Sequence, residues 1–310
     1  MSRPLSGRSR GPRLPRVTFV GLGTMGEPMA KRVALASFEL TIFDIDVKRA
    51  EGLAVEMGVP FTRDILATAS ECDVVILMLP NSTIVEKLLR EQGLFKAMPV
   101  GSLIIDMGSS RPESTRALAE EAQARGLRFL DAPVSGGQAK AQAGELAIMV
   151  GGLSSDFDSA LPLLSQMGSW VVHTGSAGTG HAMKALNNLL SATGLLAAIE
   201  VISAGAKFGL SPSVMLDVFN HSTGSNHATQ VKIGRFVLSR AFDSGFALDL
   251  MVKDLRTASE LVVETGSDPS VSSAVVASWK AAQAFLGDPS ADHTAIARWV
   301  ENATSIPLKP

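Results

Sequence analysis

The chain has 310 residues, of which 46% are hydrophobic and 19% charged, with a formal net charge of -2 and a single cysteine. That length is enough for two domains with sizeable cores. The composition excludes a disordered chain, and the near-neutral charge excludes an electrostatic nucleic-acid binder. One thiol excludes an intrachain disulfide framework and fits a reducing cytoplasm, with Cys72 read as a small buried side chain before a strand rather than a nucleophile.

Residues 1–16 carry Arg3, Arg8, Arg10, Arg13 and Arg16 and no acid. Organelle transit peptides share this bias, but the shortness and the prolines point to a disordered basic tail. The run Arg16-Val17-Thr18-Phe19-Val20 then predicts a strand, followed at once by Gly21-Leu22-Gly23-Thr24-Met25-Gly26 and a helix with Pro28 in its first turn. In a strand–glycine turn–helix unit, the first glycine permits the tight turn and the second lets phosphate oxygens approach the backbone. The third lets helix and strand pack closely, and a dinucleotide pyrophosphate rests on the helix N-terminus. Residues 40–43 form the next predicted strand, which ends in Asp44. A carboxylate there accepts from ribose hydroxyls and repels a 2′-phosphate, which favours NAD over NADP; the bland alternative is that Asp44 or Asp46 caps the following helix.

Further β–α alternation follows. A helix is expected around 50–57, and the continuous apolar run 73–79 predicts a strand buried on both faces, as a parallel sheet requires. Leu79-Pro80-Asn81 breaks it, with Ser82 or Thr83 available to cap a helix through residue 89. Strands are expected at 103–106, 128–130, 146–150 and 170–173, with a helix at 113–124. Between the later strands lies Asp131-Ala132-Pro133-Val134-Ser135-Gly136-Gly137. Adjacent glycines after a serine offer backbone N–H groups and a hydroxyl to a carboxylate, or else form an ordinary glycine-rich loop.

Beyond residue 175 the texture is helical. A helix over about 180–208, at 1.5 Å per residue, would be roughly 40 Å long, enough to link two domains. Its apolar residues cover most of the circumference, so a solvated helix is not expected, and Asn187, Asn188 and Glu200 argue against a membrane span. From Ala182 on, Lys184 is its only base before Lys207, and such a lysine either snorkels to water or is held near neutrality for proton transfer. Asn188, four residues on, shares its face. A helix opening at a capping Ser211, a polar loop at 220–227, a helix carrying Lys253 and Asp254, and helices at 270–286 and 294–302 complete the chain. His221 and His227 lack a third ligand in that loop, so no metal site is expected, and no G-x-S-x-G frame supports serine hydrolysis.

Four motifs in order resemble the β-hydroxyacid dehydrogenase family: the stretch from Phe19 to Ala30, Asp131 to Gly137, Gly178-Thr179-Gly180-His181-Ala182-Met183-Lys184-Ala185-Leu186-Asn187-Asn188, and Gly245-Phe246 through Lys253-Asp254-Leu255. The resemblance implies a Rossmann domain with a mostly parallel sheet (17–176), a long interdomain helix, and an all-helical domain (177–310) that mediates homodimers or homotetramers. It implies Lys184 as general acid/base with Asn188 beside it. Ser135, Gly136 and Gly137 would cradle a carboxylate, and Lys253 would close the site. Gly21, Leu22, Gly23, Thr24, Met25, Gly26, Asp44, Leu79, Pro80, Asn81, Ser109, Phe246 and Lys253 would contact the cofactor. The activity implied is NAD-dependent oxidation of a small β-hydroxy acid. Alternatives are a reductase of tartronate semialdehyde, glyoxylate or succinic semialdehyde, and an inactive cofactor-binding scaffold. Two departures touch specificity: Ser225 stands where some relatives carry arginine, and the usual Asp-x-Ser-Thr becomes Asp106-Met107-Gly108-Ser109.

Overall fold

The computed structural model describes residues 14–36 and 38–309; the basic tail expected at 1–16 lies outside them except for its last three residues. The chain divides into two compact units, one through Gly180 and one from His181.

The first unit is a Rossmann-type α/β layer structure. Its strands are β1 (Arg16–Val20), β2 (Glu39–Phe43), β3 (Val74–Leu77), β4 (Leu103–Asp106), β5 (Arg128–Asp131), β6 (Val134–Ser135), β7 (Ala147–Gly151) and β8 (Trp170–Gly175). They run in the order β2-β1-β3-β4-β5-β7-β6, with β8 paired to β7. All pairs from β2 to β5 are parallel. β7 breaks the pattern, running antiparallel to β5 and β6 and parallel to β8. β6, not expected from the sequence, is two residues long, too short to carry a period-2 pattern.

Every residue of β3 and β4 is buried, which accounts for their unbroken apolar runs. Alternate side chains serve opposite faces. Phe19, Ile42, Ile76 and Ile105 pack with α1 (Gly26–Leu35), α2 (Val47–Met57) and α8 (Ser154–Leu164), whereas Val20, Val75, Leu77 and Ile104 pack toward α5 (Leu94–Ala97) and α6 (Pro112–Ala124). The unit also contains α3 (Ile65–Ala69), α4 (Ser82–Glu86) and α7 (Gly137–Ala143). The cap of α4 differs from expectation: Asn81, not Ser82 or Thr83, accepts from the Ile84 N–H at 3.1 Å, and the helix gives way to a π-helical turn at Lys87–Glu91. Cys72 is buried, and burial pushes its thiol pKa up, as befits a packing residue.

The second unit contains helices and no strand among the described residues: α9 (Thr179–Phe208), α10 (Pro212–Asn220), a π-helical run Ala228–Leu238, α11 (Leu248–Glu264), α12 (Ser270–Leu286) and α13 (Ile296–Thr304). α9 is long and apolar enough to cross a membrane by length and composition, but one face packs Ala192, Leu195, Leu196, Ile199 and Ile202 into a core with Trp279 and Ile296. Its opposite side leaves the apolar Met183, Leu190 and Val201 exposed in the described chain. Ser211 occupies the cap position of α10 but makes no side-chain capping bond; Pro212 at the first helical position, which has no N–H to satisfy, sets the start.

Candidate active site

In the first unit the glycine turn leaves β1 and enters α1. Gly21 has φ +94°, and a Cβ there would lie 2.4 Å from the Met78 carbonyl oxygen, so only glycine fits. A Cβ on Gly26 would lie 1.9 Å from the Gly21 carbonyl oxygen, and the absence of a side chain lets helix and strand meet. Around Gly23 nothing stands within 4 Å, and Gly23 and Thr24 are exposed. Two glycines therefore serve the fold, while the middle one leaves backbone open to a ligand. The turn fits a dinucleotide, whose pyrophosphate would lie against residues 22–26.

Asp44 follows β2 and is buried. Its Oδ2 accepts from the Leu22 N–H at 2.7 Å and its Oδ1 from the Asp46 N–H at 2.8 Å, so it pins the glycine turn to the end of β2. The capping role belongs to Asp46, which accepts from Arg49 N–H at the start of α2. The Arg49 guanidinium stands 3.8 Å from Asp44. Leu79, Pro80 and Asn81 form the loop after β3; Leu79 is half-buried, Pro80 exposed, and Asn81 spends its side-chain oxygen on the α4 cap.

The Asp106-Met107-Gly108-Ser109 departure has a local reason. A Cβ on Gly108 would lie 2.6 Å from the Leu79 carbonyl oxygen, and Asp106 accepts from the Gly108 N–H and the Ser110 hydroxyl, which fixes the turn around half-buried Ser109. Ser135 closes β6, and Gly136 and Gly137, at φ +136° and +71°, are exposed where α7 begins. At the end of β5 the buried Asp131 carboxylate accepts from the Gly178 N–H at 2.7 Å.

In the second unit Lys184 and Asn188 lie one turn apart on α9. The Asn188 amide donates to Asp254 at 2.7 Å, and Lys253 stands 3.4 Å from the other oxygen of the same carboxylate. Burial, helped by the Lys253 ammonium, holds the Lys184 pKa below the usual lysine range against the opposing pull of Asp254. Phe246 packs edge-on to the His293 ring at 5.7 Å. Ser225 receives the Gln230 amide at 2.8 Å. His221 is exposed, and no cluster of metal-ligating side chains occurs among the described residues.

Sequence reasoning missed Lys232 and Asp292. Burial also holds Lys232 below the usual range, with Lys184 as a further charge acting on it. Its signal was present: Ala228, Thr229, Lys232, Ile233 and Val237 form the buried stripe of their segment, so Lys232 is a base on an apolar helical face, as Lys184 is. Asp292 resembles an ordinary cap and is one, accepting from Thr294 N–H at 2.9 Å, but it also gathers Ser244, Gly245 and Phe246.

The glycine turn after β1 and the layer order of the first unit define a Rossmann-type dinucleotide-binding domain. Residues 16–175 match the family described as the NAD binding domain of 6-phosphogluconate dehydrogenase, and residues 178–300 that described as the NAD-binding of NADP-dependent 3-hydroxyisobutyrate dehydrogenase. The chain is 36% identical over 258 residues to 2-(hydroxymethyl)glutarate dehydrogenase of Eubacterium barkeri, an alignment covering 83% of this chain and 84% of that one. It is also 36% identical to the NAD-dependent L-serine dehydrogenase of Pseudomonas aeruginosa, over 82% of this chain and 87% of that protein. A solved structure of Mycobacterium tuberculosis 3-hydroxyisobutyrate dehydrogenase with L-serine superposes with a TM-score of 0.85 at 31% identity, covering 93% of this chain and 99% of that one. The chain belongs to the β-hydroxyacid dehydrogenase family.

Proposed function

We propose that the protein oxidises a small β-hydroxy acid to its semialdehyde or keto acid, with Lys184 taking the proton of the hydroxyl being oxidised. The observation that carries this reading is a half-buried lysine held below its usual pKa, one turn from an asparagine oriented by a buried aspartate. A lysine with an ordinary pKa of about 10.4 would be charged near neutrality and unable to accept a proton, so the shift is what makes Lys184 a usable base. Asn188, one turn from Lys184 on α9 and fixed by Asp254, would orient the substrate hydroxyl. Ser135, Gly136 and Gly137 offer a hydroxyl and backbone N–H groups suited to the substrate carboxylate. A nicotinamide dinucleotide, held at residues 21–26, supplies the hydride acceptor. The buried Asp44 carboxylate at the end of β2 supports NAD over NADP, because a 2′-phosphate there would meet like charge.

The test is steady-state oxidation of 3-hydroxyisobutyrate, L-serine and 2-(hydroxymethyl)glutarate with each cofactor. NAD is expected to give the higher kcat/KM, and Lys184→Ala to lower kcat by about 10³-fold while NAD binding persists. Near-normal turnover in the variant would remove Lys184 from the chemistry, and a preference for NADP would overturn the cofactor assignment.

A further inference from the structure

Lys184, Asn188 and Ser191 are spaced four and then three residues apart, so they line one side of α9. Each of the latter two is met by another segment of the second unit. Asp254 of α11 accepts from Asn188, and Lys232 of the π-helical run donates from Nζ to Ser191 Oγ at 3.0 Å. Lys232 is only 8% exposed. An ammonium stripped of water to that degree costs free energy, and the proton transfer assigned above does not use it.

The charged and titratable groups around this side of α9 come from several segments. α11 supplies Lys253 and Asp254, and the π-helical run supplies Lys232. The segment before α13 supplies Asp292 and His293, with His227 near His293 and His181 one turn before Lys184 on α9 itself. Burial, with the Lys232 cation adding to it, lowers the His293 pKa to about 4, so its ring is neutral in the working range. Asp292 accepts from the Ser244 hydroxyl, the Gly245, Phe246 and Thr294 N–H groups and the Thr294 hydroxyl, which spreads its charge over a loop rather than onto Lys232 alone.

We propose that Lys232, anchored through Ser191, is a positioning residue that sets a second positive charge against the side of α9 from which Lys184 works. This rests on the reading of Lys184 as the proton acceptor. Asp292 favours the charged form of Lys232 against its burial; with a cation there, charging the Lys184 amine is disfavoured, and the neutral, proton-accepting form is populated at lower pH. Burial is the largest influence on Lys184; Asp254 opposes it and Lys253 reinforces it, and Lys232 acts in the same sense as Lys253.

The experiment is the pH dependence of kcat/KM for oxidation, using whichever of the three acids above turns over best, in the full-length enzyme with saturating NAD. Lys232→Met is expected to move the acidic limb upward by about one pH unit, with near-wild-type rates recovered at high pH, whereas Lys232→Arg leaves the limb in place. Ser191→Ala, which keeps the lysine but frees it, should give a smaller upward move. An unmoved limb in both Lys232→Met and Ser191→Ala overturns the proposal, as does a loss in Lys232→Met that is equal at all pH values. If Lys184→Ala is inactive while the limb stays fixed, only the role of Lys232 fails; if Lys184→Ala is active, the parent reading fails instead.

Discussion

In the first unit the dinucleotide-type turn is made almost entirely of backbone, with Gly21 and Gly26 allowing close approach, Gly23 left open, and one side chain, Asp44, tying the turn to β2. In the second unit the reactive cluster is made of side chains drawn from positions far apart in sequence: Lys184 and Asn188 from α9, Lys232 from the π-helical run, Lys253 and Asp254 from α11, and Asp292 before α13. A site built of backbone is most sensitive to a single added methyl group. A side-chain cluster is the reverse, since its parts can be exchanged sterically while its electrostatics cannot. The two units should therefore respond oppositely to small substitutions.

Gly26→Ala is the most severe test. Its Cβ would fall 1.9 Å from the Gly21 carbonyl oxygen, a backbone atom that cannot move without separating α1 from β1. A loss of about 4 kcal/mol in the first unit, or failure to obtain folded protein, is expected from urea unfolding. An unchanged midpoint would show that the turn has slack, and the contrast between the units would weaken.

Asp254→Ala tests the other side. It removes the acceptor of the buried Asn188 amide and the ion-pair partner of the half-buried Lys253, at a cost of about 3 kcal/mol. Asp254 raises the Lys184 pKa, so its removal should move the acidic limb of the oxidation profile downward, opposite to the effect of Lys232→Met. A limb that moved upward would show that Asp254 acts on Lys184 through position rather than charge.

The same contrast explains what could be read before the fold was known. The backbone site announces itself locally, because the glycines, the preceding strand and Asp44 lie within a short stretch and each has a steric reason. The apolar runs of β3 and β4 likewise state their burial. What stayed hidden was set by tertiary contact. β6 exists through its pairing with β7, and the α4 cap passed to Asn81 although Ser82 and Thr83 have equal capping chemistry. Lys232, between Val231 and Ile233, lies on an apolar face, but that Ser191 receives it is visible only in the fold. Lys184 stood out because its helix is so poor in charge; Lys232 sits in a shorter segment with Arg235 nearby, where the same signal is diluted.

Gly23→Ala has the smallest expected effect on stability and separates the two roles of glycine within one turn. No atom lies within 4 Å of where its Cβ would be, so the first unit should unfold within about 0.5 kcal/mol of wild type. The methyl group would nevertheless stand where a pyrophosphate must approach the backbone N–H groups, and NAD affinity should fall about tenfold or more, read by quenching of tryptophan fluorescence or by calorimetry. If stability is kept and affinity is lost, Gly23 serves the ligand while Gly21 and Gly26 serve the fold. If affinity is also kept, the open face at residues 22–26 is not where the phosphates lie, and the dinucleotide must be placed elsewhere on the first unit.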